Sequence, residues 1–90
     1  MYSLQLTSRY KKQYKQLARR GYNMALLESV IEKLAKGETL DPKHVDHPLK
    51  GNKKGYRDCH ITPDWVLIYK IDKGVLTLIL SETGTHADLF

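Results

Sequence analysis

Residues 46–70 read DHPLKGNKKGYRDCHITPDWVLIYK. The stretch begins among breakers, Pro48, Gly51 and Gly55, and then settles into two strand-like runs at about Tyr56–Ile61 and Trp65–Ile71. Between them lies Thr62-Pro63-Asp64-Trp65, with proline at the second position, where a type I turn favours it, so the two runs are expected to pair as a hairpin. Val66, Leu67, Ile68 and Tyr69 are continuously apolar, the pattern of a central strand covered on at least one face. Asp72-Lys73-Gly74 supplies a second tight turn into a third run, about Val75–Leu80.

Upstream, Tyr2, Leu4 and Leu6 alternate with Ser3, Gln5 and Thr7, which is the period of a half-buried strand. Ser8 can then cap a helix whose apolar positions are Tyr10, Tyr14, Leu17 and Ala18, with Gly21 ending it. Asn23 can cap a second helix carrying Leu26, Leu27, Val30, Ile31 and Leu34, which stops near Lys36 and Gly37. Helices this close in sequence form an antiparallel hairpin. The expected order is therefore β-α-α-β-β-β: an α+β domain over residues 1–90, a twisted antiparallel sheet with a helical hairpin on one face.

With 90 residues, such a domain buries roughly 60–65% of its unfolded surface and has a thin stability margin. The formal charge of +5 and pI near 9.4 point to a polyanion or an acidic partner. No apolar run is long enough to span a membrane, and the N-terminal stretch lacks a signal-peptide core. The single cysteine, Cys59, excludes an internal disulfide, fits a reducing cytoplasm and reads best as a small buried hydrophobe.

The chemistry concentrates in the opening stretch and in the closing TGTHADLF, which together hold His47, His60 and His86, three of the four histidines. Asp64, the only tryptophan (Trp65) and the basic run Lys50, Lys53, Lys54 and Arg57 lie in the same segments. Imidazole both takes and gives a proton near neutral pH, and Lys and Arg are what a protein sets against phosphate. Metal-free RNA cleavage needs those parts: a base for the 2′-OH, a cation for the crowded phosphorane and an acid for the leaving 5′-oxygen.

These blocks, DHPLxGxxKGYRDxHxxPDWxLIYK and TGTHxxLF, resemble the YafQ branch of the RelE/ParE superfamily of bacterial type II toxins, and the resemblance covers essentially the whole chain. It implies a RelE-like fold and a cytoplasmic, ribosome-dependent mRNA endoribonuclease. It also implies silencing by a cognate antitoxin of the DinJ or RelB kind, carrying an acidic segment, in a toxin–antitoxin hetero-oligomer. By the same resemblance His47, His60, Asp64 and His86 are the cleavage residues, and Trp65 and Phe90 line the site. One departure stands out. Many relatives carry Arg two residues before the glycine of the last motif, where this chain has Glu82, so the role of that cation passes to Arg57 or the nearby lysines.

Plainer readings stand beside these. His47 can be an exposed loop residue, His60 an edge histidine and Asp64 a turn former. Trp65 can belong to the sheet core, and His44, outside the motif, reads as a solvated loop residue. The basic face from Arg9 to Arg20 is either solvated or a hold on ribosomal RNA. Other classes fit less well. A zinc enzyme would want ligand spacing that is missing here. A non-catalytic RNA-binding domain leaves the histidines unexplained, and a toxin directed at DNA gyrase lacks this histidine set. The expected enzyme uses no metal and no cofactor.

Overall fold

The computed structural model describes all 90 residues. β1 (Ser3–Leu6) leads into α1 (Ser8–Arg19) and α2 (Met24–Ala35). A 3-10 turn at Pro42–His44, a two-residue strand β2 (His47–Pro48) and a second 3-10 turn at Gly51–Lys53 follow. The chain then makes the meander β3 (Arg57–Thr62), β4 (Trp65–Asp72) and β5 (Thr77–Thr85), and closes with a single-turn helix α3 (His86–Leu89). Both hairpins expected from residues 46–80 are present, and β5 runs further than its sequence pattern shows.

Three sequence expectations need correction. The sheet is mixed: its strand order is β1-β5-β4-β3-β2 and β1 pairs parallel to β5, because the two helices carry the chain back across the sheet before β5 is made. The cap of α1 is Thr7, whose hydroxyl accepts the Tyr10 N–H, so Ser8 is already helical. β1 is not half buried, since Leu4 and Leu6 are exposed. They line an apolar groove of about 600 Å³ with Tyr10, Tyr14 and Ile31.

Asn23 caps α2 as expected, accepting from the Ala25 N–H, and Leu27, Val30, Ile31 and Leu34 face inward while Leu26 stays exposed. The main core joins these to Leu17, Cys59, Trp65, Leu67, Tyr69, Leu78 and Leu80. At about 25 cal/mol per Å² of apolar surface removed from water, each large member contributes roughly 1.5–3 kcal/mol.

A β-bulge sets the second face of the sheet. Ile68 pairs with Glu82 and Tyr69 with Leu80, leaving Ser81 as the extra residue. Such an insertion shifts the phase of the strand by one. Leu78 and Leu80 therefore point into the core while Glu82 turns to the opposite, outer face. Beyond the end of β1, the free edge of β5 is covered by the start of α1. The Thr7 hydroxyl donates to the Ser81 carbonyl (2.7 Å), and the Gln13 side-chain oxygen accepts the Thr83 N–H (2.9 Å). Side chains replace the missing strand neighbour, so these backbone groups at the edge are paired.

Candidate active site

The outer face carries the histidines. Cross-strand partners share a face and so do alternate residues of one strand. His47 lies opposite Asp58, Asp58 opposite Ile68, and Ile68 opposite Glu82. His60, two residues beyond Asp58, lies opposite Val66, itself opposite Gly84. Val66 and Ile68 are buried beneath this face, outside the main core cluster.

Three imidazoles form a row. The ring centroids of His47 and His60 are 6.5 Å apart and those of His60 and His86 are 5.3 Å apart. Phe90 continues the row, 5.7 Å from His86 and largely exposed. Asp64, on the β3–β4 turn, sits with Oδ1 3.8 Å from His86 Nδ1. Four of the residues named from the sequence for cleavage, His47, His60, Asp64 and His86, thus come together, with Phe90 beside them.

Two of the three rings are held from behind. The Val45 carbonyl lies 2.6 Å from His47 Nδ1 and the Pro63 carbonyl 3.2 Å from His60 Nδ1. A carbonyl only accepts, so both Nδ1 atoms carry the hydrogen. The loop bearing His47 is braced twice. Asp46 Oδ1 accepts from the Tyr69 hydroxyl (2.6 Å) and from Arg57 Nε (3.2 Å). His44, which read as solvated, is in fact buried, and its Nδ1 donates to the His60 carbonyl at 2.7 Å. Between these two anchors Val45 adopts φ +47°, a left-handed conformation costly for a β-branched residue. The anchors hold that strained turn, which aims His47 at His60. Burial, then the bond to Asp46, push the Tyr69 hydroxyl above its ordinary pKa, so it stays a donor.

His86 is positioned by the end of β5. The Thr85 hydroxyl accepts the Asp88 N–H while the Asp88 carboxylate accepts the Thr85 N–H, closing a capping box over one turn. Arg20 Nη1 adds an ion pair to Asp88 at 3.0 Å. The Thr85 N–H, then Arg20, hold the Asp88 carboxyl below its usual range. A Cβ at position 84 would stand 3.0 Å from Asp88 Cβ, a tight approach that glycine avoids. The Gly of TGTH is there to let α3 close on the strand.

Trp65 departs from the expected stacking role. Only 1% of it is exposed, its ring meets Tyr22 edge-on at 5.2 Å, and Nε1 donates to the Thr83 hydroxyl. With neither ring face open, it offers a base no surface. It serves the core, as its place in an apolar run also allowed, and Phe90 is the aromatic left to stack.

The basic run divides in two. Lys53 Nζ pairs with Glu82 Oε2 at 2.8 Å and Arg57 with Asp46 at 3.2 Å. Lys50 and Lys54 are exposed and make no ion pair. Glu82 is buried and also meets Arg9 Nη1 at 3.3 Å. Burial pushes its carboxyl up, but Lys53 and Arg9 outweigh that and hold it below the ordinary value. Asp58, Asp46 and His44 escaped the sequence reading. The first had a signal, since Asp-Cys-His on a strand puts Asp58 and His60 side by side on one face.

Among known proteins, residues 2–90 match the family described as bacterial toxin of type II toxin-antitoxin system, YafQ. The chain belongs to the YafQ family. The mRNA interferase toxin YafQ of Escherichia coli K12 is 39% identical over 88 residues, spanning 97% of this chain and 94% of that one. A metal-bound toxin from Helicobacter pylori superposes with a TM-score of 0.94 at 40% identity, each chain covered in full. YafQ in the E. coli DinJ–YafQ complex does so with 0.92 at 35% identity, covering 100% of this chain and 99% of that one. No group of three or more His, Cys, Asp or Glu side chains in this chain is placed to hold a metal ion.

Proposed function

We propose that this YafQ-family toxin cuts messenger RNA on the ribosome by attack of the ribose 2′-OH on the adjacent phosphodiester, using histidines and no metal. That a type II toxin of this family is an mRNA interferase follows from the family assignment, which sets aside the gyrase-directed and non-catalytic readings. The observation carrying the mechanism is the row His47–His60–His86 with Phe90 at its end. Imidazoles with an Nε2 free of protein partners take and give the two protons, and Phe90 stacks a splayed base, an interaction worth roughly 1–3 kcal/mol. The ribose 2′-OH, absent from DNA, restricts the reaction to RNA.

Lys50 and Lys54, free of carboxylate partners, meet backbone phosphates, and the basic face of α1 from Arg9 to Arg20 adds to the hold on ribosomal RNA. The toxin works in the cytoplasm, where its target is; none of its helices is long and apolar enough to cross a membrane. Its partner is a cognate antitoxin, as DinJ is for E. coli YafQ. An acidic segment of it, laid over the Lys50–Arg57 region or the histidine row, neutralises by using the charges RNA would use.

The test is the chemistry of the ends. Ribosomes programmed with a defined mRNA should yield a 2′,3′-cyclic phosphate or 3′-phosphate, at a rate unchanged by EDTA once magnesium-dependent ribosome integrity is controlled. Products bearing a 5′-phosphate, or activity lost to a chelator and restored by a transition metal, refute the metal-free mechanism.

A further inference from the structure

Behind the histidine row, α1 and the closing turn α3 enclose a polar cleft. Its wider part, of about 390 Å³, falls within the roughly 300–1,000 Å³ of ordinary ligand sites. Arg9, Lys12, Gln13 and Gln16 of α1 line it, with Glu82 of β5 and Leu89 of α3. A narrower extension of about 170 Å³ shares Gln13 and Gln16 and runs on to Thr83 and Arg20. α3 is the wall between this cleft and the row. On a helical turn, residues four apart share a side and residues two apart lie nearly opposite. His86 and Phe90 therefore stand together at the row, their rings 5.7 Å apart, while Asp88 faces the cleft. At its other end the cleft reaches Glu82, which belongs to the outer face that carries the histidines.

Gln13 is the fixed group of the cleft. The Thr83 N–H donates to its side chain at 2.9 Å. An N–H needs an acceptor, so the atom it meets is the amide oxygen and the free one is the nitrogen. That NH₂ makes no hydrogen bond to the protein, and the half-buried side chain bearing it lines both parts of the cleft. Gln13 is left with donors only. The carboxylates beside it are already met, Glu82 by Lys53 and Arg9 and Asp88 by Arg20. Lys12 is exposed and pairs with no carboxylate, and Arg9 is 70% exposed beside its one partner. The groups still to be satisfied are thus cations at the rim and a fixed donor within. Phosphate suits the first, a base ring with acceptor atoms suits the second, and Leu89 offers such a ring an apolar contact.

We propose that this cleft holds the messenger nucleotide next to the scissile one, its phosphate against Lys12 and Arg9 and an acceptor atom of its base against the Gln13 amide. The assignment rests on the ribonuclease reading above and adds to it a subsite away from the reacting atoms. Gln13 is there a specificity-determining residue, and no bond is made or broken at it. With its side chains α3 is about 10–12 Å across, which keeps the reacting ribose at the row and leaves the neighbouring nucleotide to the cleft.

Gln13→Glu tests this, because glutamate keeps an oxygen for the Thr83 N–H and exchanges only the free NH₂ for a second acceptor. On ribosomes programmed with messages varied one position at a time around the cut, kcat/KM should fall about tenfold, in the range of a lost base contact. The base preference should change at one adjoining position only, and an abasic residue there should largely remove the difference between variant and wild type. A variant that matches the wild type on every message overturns the proposal. So does one equally slow on all of them, the abasic message included, which would assign the α1 side of the cleft to ribosomal RNA. A second measurement needs neither the variant nor cleavage. In ¹H–¹⁵N spectra of the wild type, a short single-stranded oligoribonucleotide, 2′-O-methylated throughout and so immune to 2′-OH attack, should shift the side-chain amide of Gln13 together with the ring of His86. Shifts at the row without Gln13 overturn the cleft and leave the ribonuclease reading standing. Shifts at both in a protein that does not cut RNA do the reverse. A Gln13 amide moved by an acidic peptide and not by RNA also overturns the proposal, and gives the cleft to a protein partner.

Discussion

Asp58 and Glu82 lie on the same face of the sheet, on either side of Ile68, two strand spacings or about 10 Å apart. Both are buried carboxylates, yet their surroundings are opposite. Glu82 is met by Lys53 and Arg9, whereas Asp58 has only the 3.8 Å approach of a histidine. The Glu82 side is a finished structural clasp. It ties the turn at Gly51–Lys53 and the start of α1 to β5, with two cations set against one carboxylate. The Asp58 side is open: its Oδ1 makes no hydrogen bond. Buried ion pairs contribute to stability only when their remaining valences are met, and an unmet one belongs where chemistry supplies the missing partner. The comparison also recasts the departure from the Arg-bearing relatives. Glu82 does not leave a hole in the site; it takes Lys53 away from it.

The largest effect expected from this contrast is on the histidine side. On the proposed mechanism His86→Ala removes a proton-transfer group, and loss of general acid–base help costs about 10²–10⁴ in rate, while the folded state, in which His86 is half exposed, should be nearly untouched. Expression of the wild-type chain alone should arrest growth through loss of mRNA, and the His86→Ala chain at equal abundance should not. Lys53→Gln, on the clasp side, should lower stability more than it lowers the cleavage rate. If His86→Ala remains as toxic as the wild type, or if Lys53→Gln abolishes cleavage in a protein of unchanged stability, the two sides have been assigned the wrong way round.

Much of this could be read from the chain because the signals are local. Both hairpins follow from turn chemistry at Pro63-Asp64 and Asp72-Lys73-Gly74, and the helices from caps and apolar period, since those forces act within a few residues. The clustering of His47, His60, Asp64 and His86 came from motif resemblance and is matched by the geometry. What escaped depends on register. Parallel pairing of β1 with β5, the bulge at Ser81 that turns Glu82 outward, and the pairing of Lys53 with Glu82 bring together residues up to 74 positions apart. Nothing in a single strand announces them. Trp65 and His44 were misjudged for a related reason: burial is decided by what packs on top, and for Trp65 that is Tyr22, from the turn between α1 and α2.

A middle-sized effect separates the carboxylates by pH. The depressed pKa of Glu82 means its clasp contributes fully above the usual carboxylate range, near pH 4.3, and loses that contribution as pH falls through the folded-state value. Glu82→Gln should therefore be less stable than the wild type at pH 7, by about 1–2 kcal/mol once the exposure of Lys53 and Arg9 is allowed for. The gap should close on acidification toward pH 3. Asp88, also depressed, adds acid sensitivity of the same sign to both proteins and drops out of the difference. Urea melts at the two pH values measure it, and a gap that is constant with pH would mean that Glu82 acts by packing and not by charge.

The smallest effect should come from the free lysines, and it is diagnostic because it appears in binding and not in folding. Lys50 and Lys54 have no carboxylate partner, so replacing both with Gln breaks nothing in the folded protein and should leave the melting curve unchanged. Each phosphate that is no longer neutralised lowers the dependence of log K on log salt by roughly 0.7–0.9, so the double variant should bind ribosomes less tightly and with a slope shallower by about 1.5. An acidic antitoxin segment would lose the same steering, which acts over a Debye length of about 8–10 Å and fades as salt rises. Its association should then slow in low salt and converge on the wild-type rate in high salt. Lys53→Gln with Arg57→Gln supplies the contrast. Those cations are already neutralised by Glu82 and Asp46, so this second pair should shift stability and leave the salt slope nearly as it was. If the two double variants change the slope equally, the division of the basic run into paired and free members has no bearing on how the protein meets a polyanion.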